Sequence, residues 1–175
     1  MFTPETPPVS ESLRQGIAER IKDKKPLVPS MLAHDFGVSE LEASLALPED
    51  MRCFAPAARF DEIWNELTTW QSATFIMQHL GTVLEIKGTI PAGSHGHGYF
   101  NLKDGSIGGH LKVDDLKAIG FMSMPFMGLE SHSVQFFNMD GAIKFSIYVG
   151  RENRQLIPSV RESFIRLREA ACKDI

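Results

Sequence analysis

Asp140-Gly141 lies between two runs that read as strands, Val134 to Asn138 and Ala142 to Val149. An Asp-Gly pair flanked by such runs is the strongest short-range hairpin signal a sequence carries, because it supplies the left-handed residues of a two-residue turn. In the second run Phe145, Ile147 and Val149 share one face, and Lys144, Ser146 and Tyr148 share the other. The chain is thereby committed to antiparallel sheet, and the remaining elements have to be accommodated around it.

More strands are expected at Ala73 to His79, Thr82 to Lys87, Tyr99 to Leu102 and Ala118 to Met124. Helices bracket them. Ser10 caps a helix whose Leu13, Ile17 and Ile21 recur on one face; Lys22, Lys24 and Lys25 suit its end and Pro26 stops it. Two short helices follow, Pro29 to His34 and Ser39 to Leu47, the second opened by the capping box Ser39/Glu42. Pro48 to Arg59 reads as a loop. Phe60 to Trp70 forms a helix with Phe60, Ile63, Trp64 and Leu67 in one stripe, and a last helix spans about Pro158 to Lys173.

The fold class is therefore α+β: amino-terminal helices, an antiparallel meander and a closing carboxy-terminal helix. We expect a disordered, Pro-rich tail over 1–9, a small helical subdomain over 10–50, and an antiparallel-sheet binding domain over 51–175, the last two forming one compact unit.

Composition excludes more than it assigns. A chain that is 43% hydrophobic with formal charge −4 has ample core material and no basic excess of the kind nucleic acid demands. The two short helices resemble a helix-turn-helix, but Ser39 to Ser44 carries two acids and no side chain suited to base edges or phosphates. Packing is the better reading. No apolar run approaches the roughly 20 residues that span a bilayer, and the start shows no signal peptide, so a cytoplasmic protein is expected. Cys53 and Cys172, far apart in sequence, read as two reduced thiols packed as small hydrophobes.

Chemistry concentrates in Pro91 to Lys112, which holds three of the six histidines: His95, His97 and His110. Read as one strand, His95, His97 and Tyr99 share a face, with Gly96 and Gly98 allowing close backbone approach. Tyrosine phenolate is a hard anionic ligand suited to ferric haem iron, and histidine is the commonest proximal ligand. A solvated turn is the bland alternative. A cupin-like divalent-metal site is another, but no glutamate follows His97 at the required distance and no second metal box follows.

The residues bear a wider resemblance. Ile90-Pro91-x-Gly93, His97-Gly98-Tyr99-Phe100-Asn101-Leu102, Gly109-His110-Leu111-Lys112 and Lys117-Ala118-Ile119 resemble the cytosolic haem-utilisation carriers of the HutX/ChuX type. So do Ala46 to Met51, Trp70 with Ile76, Pro125-Phe126-Met127-Gly128-x-Glu130-Ser131-His132, Phe136-Phe137 and Lys144-Phe145-x-Ile147-Tyr148-x-Gly150-Arg151. The match is collinear over nearly the whole chain from about residue 12.

That resemblance implies haem as ligand, with Tyr99 at the iron-binding tyrosine of HutX-like carriers and His110 at a histidine implicated in ChuX-like ones. A second ChuX-type histidine falls on Gln78, with His79 beside it. His95 and His97 complete the expected haem-binding set, and Phe100, Met124, Phe126 and His132 are expected in the pocket. It further implies a homodimer that carries haem and hands it to a haem-degrading partner without chemistry of its own. A haem-degrading oxygenase of related fold is the alternative: it favours a neutral histidine ligand, whereas a carrier favours a phenolate.

Overall fold

The computed structural model describes residues 2–23, 26–103, 105 and 107–173. Helix α1 (Glu11–Lys22) begins at Ser10, whose side chain accepts the backbone N–H of Leu13. Lys24 and Lys25, expected at its end, lie outside the described residues. Helices α2 (Pro29–Phe36) and α3 (Glu40–Leu45) are joined through Gly37, which takes the left-handed conformation (φ 64°) that closes α2. The capping box of Ser39 and Glu42 forms as expected, and its hydrogen bonds hold the Glu42 carboxyl below its usual range.

Six strands make the main sheet, in the order β1-β7-β8-β9-β2-β3. They are β1 (Arg52–Pro56), β2 (Ala73–His79), β3 (Thr82–Gly88), β7 (Leu116–Ser123), β8 (His132–Asn138) and β9 (Ile143–Val149). Every pairing is antiparallel. Asp140-Gly141 turns the chain between β8 and β9, with Asn138 Oδ1 accepting the backbone N–H groups of Asp140 and Ala142. A smaller three-stranded sheet, β4 (Gly93–Gly96), β5 (Tyr99–Leu102) and β6 (His110–Leu111), stands apart. The pair β10 (Arg151–Glu152) and β11 (Gln155–Leu156) leads into the closing helix α5 (Pro158–Cys172).

Strand periodicity divides the main sheet into two faces with separate cores. On one face Cys53, Ala55, Ile119, Phe121, Val134, Phe136, Phe145, Ile147 and Phe75 pack against α4 (Phe60–Leu67), α5 and the small sheet. Trp64 of α4 is fully buried, and its indole N–H donates to the carbonyl of Pro91 at 3.0 Å, fixing the lead into the small sheet. Truncating it to alanine would cost about 3–5 kcal/mol. On the other face Phe54, Met122, Met124 and Phe137 meet Ile17, Leu32, Leu41 and Leu47 of the helical region. Residues 2–9 carry neither helix nor strand, yet Pro4 is buried and Phe2 and Val9 lie against this second core.

Four expectations need correction. The stretch read as a loop between Pro48 and Arg59 contains β1, an edge strand whose Cys53, Phe54 and Ala55 are buried against β7. It is too short to show alternation, and it ends on a proline. Helix α4 stops at Leu67 rather than Trp70, because the hydroxyls of Thr68 and Thr69 turn back to donate to the carbonyls of Asn65 and Glu66. Cys53 and Cys172 are not separate thiols. β1 and the last turn of α5 bring their Cα atoms to 6.1 Å, and they form a disulfide. The run from His95 to Tyr99 is a hairpin rather than one strand, with consequences taken up below.

The acidic helix α3 is used for packing: the backbone N–H of Leu41 donates to the carbonyl of Gly141, and Glu40 accepts the N–H of Ile143 on the β8–β9 hairpin. Burial pushes the Glu40 carboxyl up, against that hydrogen bond.

Candidate functional site

The three-stranded sheet is built on its own two-residue turn. His97 (φ 53°) and Gly98 (φ 79°) both lie in the left-handed region, the geometry of a tight hairpin. Gly96 therefore pairs with Tyr99 and His95 with Phe100, so His95 and Tyr99 fall on opposite faces and His97 caps the turn.

One face turns inward. Phe100 and Leu111 are buried beside Trp64 and Phe60, with the Phe60 and Phe100 rings edge-to-face at 5.0 Å. A Cβ at Gly93 would overlap the Phe100 ring, which is why glycine stands there. His95 stays on this side: its Nε2 lies 2.7 Å from Asp61 Oδ1 on α4 and its ring meets Phe100 edge-on.

The other face presents Tyr99, Asn101, His110 and Lys112. Tyr99 is 45% exposed, and among the described residues its hydroxyl makes no hydrogen bond. The His110 ring lies 5.9 Å from the Tyr99 ring. Asn101 fixes that imidazole. Its Nδ2 faces three carbonyl oxygens, those of Ser94, Gly96 and Tyr99, so its Oδ1 must face His110 Nδ1, at 2.6 Å. An amide oxygen only accepts, so Nδ1 carries the proton and, in the neutral ring, Nε2 keeps a free lone pair. Lys112 Nζ stands 5.5 Å over the Tyr99 ring, bonded to the Gly98 carbonyl and to Asp114. The hydrogen bond to Asp114 raises the ammonium's pKa and lowers the carboxyl's. Below this edge Tyr99, His95 and Phe60 border a cavity of about 310 Å³.

The remaining expected pocket residues lie elsewhere. Met124 is buried in the second core among helical residues. His132 is stacked on Phe164 at 4.8 Å, with Nδ1 on Ser123 and Nε2 on Glu130, so neither nitrogen is free for a metal. Phe126 borders a larger cavity, about 520 Å³, on the far face of the main sheet. Thus Tyr99 and His110 are brought together, with Phe100 behind them and His95 on the opposite face of the same small sheet, while Met124, Phe126 and His132 are distributed over the molecule.

That larger cavity was not legible in the sequence. Its floor is the wetter face of β2, β8 and β9, where Gln135 Nε2 donates to Ser133 Oγ at 2.8 Å and Ser146 donates to Gln135. The Tyr148 hydroxyl completes the network, and burial pushes its pKa up. Its walls are Ile76, Val83, Ile143 and, from α2, Pro29 and Met31; Glu40, Glu85, Lys87 and Arg151 supply charge at its border. Gln78 also lines it. A partly apolar cavity with convergent polar groups is the usual form of a small-molecule site. The only hint in the sequence was the polar alternation of Lys144, Ser146 and Tyr148, a pattern that solvent exposure produces equally well.

Among the described residues no helix is long and apolar enough to cross a membrane. Residues 53–167 match the pattern of the family described as haem utilisation ChuX/HutX. The chain is 38% identical over 151 residues to the intracellular heme transport protein HutX of Vibrio cholerae serotype O1, covering 85% of this chain and 78% of that one. The crystal structure of ChuX superposes with a TM-score of 0.82 at 28% identity, over 90% of this chain and 99% of that one. A crystal structure of a protein from Erwinia carotovora gives a TM-score of 0.83 at 32% identity, over 89% and 98%.

Proposed function

The chain belongs to the haem utilisation ChuX/HutX family, and from that premise we propose that it is a haem carrier whose ferric iron is held by the Tyr99 phenolate. It works in the cytoplasm as a homodimer, performs no chemistry on its cargo, and passes haem to a haem-degrading acceptor. The observation that carries this reading is the exposed, unbonded Tyr99 hydroxyl set beside His110 and beneath the Lys112 ammonium.

Each neighbour has a role. Phenolate is a hard anion that favours ferric over ferrous iron, which suits binding without oxygen chemistry. Lys112 offsets the negative charge that the phenolate brings to the site. His110, its tautomer fixed by Asn101, presents Nε2 as a hydrogen-bond acceptor for the phenol proton as the ligand ionises. Phe100 holds the strand from behind and sets the direction in which Tyr99 projects. A haemin titration of wild type against Tyr99→Phe tests the assignment, since only the hydroxyl is removed.

One observation favours a second reading. The free Nε2 of His110 is the neutral imidazole that a haem-degrading oxygenase would use as its iron ligand. Haem complex supplied with ascorbate distinguishes the two: an oxygenase gives steady product formation, a carrier none.

A further inference from the structure

The disulfide sits where α5 has least else to hold it. The earlier turns of that helix are fixed without it: Val160, Phe164 and Leu167 enter the first core, Ser163 Oγ accepts the indole N–H of Trp70 at 2.9 Å, and His132 stacks on Phe164. Of residues 169–173 only Ala171 is buried. Cys53 is enclosed in β1, whereas Cys172 is half-buried, so the bond is approached from the Cys172 side.

From this last turn a line of contacts runs to Tyr99. Cys53 belongs to β1, which passes through the single turn Ala57–Arg59 into α4. Arg59 donates to the carbonyl of Ala170 at 2.9 Å, while its neighbours Ala58 and Phe60 wall the 310 Å³ cavity beneath Tyr99. Asp61, next on α4, holds His95 Nε2 at 2.7 Å, and His95 lies on the hairpin that carries Tyr99. The disulfide and the Arg59–Ala170 bond thus clamp one turn of α5 to the segment that forms the cavity wall. Contiguous contacts of this kind are what carry coupling between sites.

The chemistry of the pair suits reversal. Reduced cysteines pack as small hydrophobes in the same places, so the fold persists in either state. In a reducing compartment disulfides are rare, and those that occur are transient or redox-sensing. Two guanidinium groups flank the bond, Arg59 on the Ala170 carbonyl and Arg168 on the Arg52 carbonyl, and nearby cations favour a thiolate leaving group.

We propose that Cys53–Cys172 is a thiol-exchange site that governs cargo release: a small intracellular thiol enters at Cys172, opens the bond and loosens the wall beneath Tyr99, so that the reduced protein gives up haem faster than the oxidised one. This rests on the haem and cytoplasm readings above. The thiolate of a thiol such as glutathione attacks Cys172 Sγ; a mixed disulfide forms, the bond to Cys53 breaks, and Cys53 leaves as a thiolate that takes a proton. A second thiolate attacks the small-molecule sulfur of the mixed disulfide and releases the Cys172 thiolate, which is protonated in turn. Two small thiols are oxidised to one disulfide as the protein bond gains two electrons, and oxidised thiol drives the sequence backwards.

Two preparations of the wild-type protein decide it: one oxidised, one reduced by a thiol that is then removed in oxygen-free buffer, so that ferric haem is added without reductant. Alkylation and mass analysis record the state of the bond. The reduced preparation should pass haem to apomyoglobin at least about fivefold faster, the lower end of coupling between sites. Cys172→Ala should release at that faster rate with or without prior reduction, and so should Arg59→Gln, which keeps the disulfide but breaks the link to Ala170. Hydrogen exchange measured without haem should rise on reduction at 57–61 and 169–173 and stay unchanged in β2 and β8. In glutathione buffers the bond should open under a cytosol-like excess of the reduced form and close as the oxidised form is raised. Equal release rates in the two states, exchange that rises everywhere or nowhere, or a bond unmoved across the glutathione series overturns the switch and leaves Tyr99 ligation intact. Arg59→Gln that releases as slowly as oxidised wild type overturns it as well. A protein that binds no haem in either state, yet shows the confined rise in exchange, refutes the haem reading and with it the control of release.

Discussion

The side-chain oxygen of Asn101 lies 2.6 Å from Nδ1 of His110, and the three carbonyls around the Asn101 amide nitrogen leave it no other orientation. A residue that touches no ligand thus decides which nitrogen of His110 is available. We expect His110→Ala to weaken haem binding about 10–100-fold, as loss of an outer-shell partner does, and Asn101→Leu, which acts through His110, to weaken it by no more. Dissociation followed by capture with apomyoglobin measures both. Equal off-rates in wild type and Asn101→Leu would remove the role given to this contact.

The same face predicts a pH-dependent release. Proton competes with iron for the phenolate oxygen, so acid should loosen the complex and transfer to apomyoglobin should speed up from pH 8 to pH 5. Stopped-flow transfer rates that stay constant over that range, or haem destroyed in place with ascorbate, would contradict a phenolate-held cargo.

Fold stability should respond to a different histidine. Burial holds His132 below its ordinary value of 6.5, against the pull of Glu130. The unfolded chain then binds the proton more readily, so this contribution is complete well above pH 6.5 and declines as pH falls from there toward the lowered folded value. Burial opposes ionisation of Glu130, but hydrogen bonds from His132 and Arg161 outweigh it and hold the carboxyl below 4.5, so a second loss sets in below that pH. Thermal melts between pH 8 and pH 5 should show a falling Tm. His132→Gln should flatten the upper part of that slope and cost about 1–3 kcal/mol through the partners it leaves unsatisfied. An unchanged slope in the variant would place the titration elsewhere.

Cys53 and Cys172 close a loop with a sequence separation of 119. Restricting the unfolded chain to that extent is worth up to about 4–5 kcal/mol, reached only where the bond introduces no distortion. Reduction, or Cys172→Ser, should lower Tm by up to about 8–20 °C, since each kcal/mol moves a chain of this size by about 2–4 °C. Alkylation and mass analysis with and without reductant report whether the bond is present. A Tm indifferent to reductant would show that the carboxy-terminal turn is held by packing alone.

Legibility in the sequence tracked the range of the forces involved. Ser10, Ser39 with Glu42, and Asp140-Gly141 act over four residues or fewer: both caps form as expected, and the hairpin forms through the three-residue loop Met139-Asp140-Gly141, in which Gly141 but not Asp140 is left-handed. β9 is legible by alternation because one of its faces is wetter than the other. β1 was hidden because its burial depends on β7, more than 60 residues away in sequence. The hairpin at His97-Gly98 is not distinguished from a single strand by sequence, since His95-Gly96-His97-Gly98 fits both; the buried Phe100 opposite His95 favours the turn. Of the residues singled out for haem, Tyr99 and His110 meet because neighbouring strands join them. Met124 and His132 were placed near them by sequence motif alone, and the fold assigns them to a core and to a hydrogen-bonded stack.

The central claim is tested most directly by titrating haemin into the wild-type protein and Tyr99→Phe while recording absorption spectra. Wild type should saturate at one haem per chain with the charge-transfer band of high-spin ferric iron, and Tyr99→Phe should lose that band and bind at least about tenfold more weakly. Identical spectra and dissociation rates for the two proteins would contradict it.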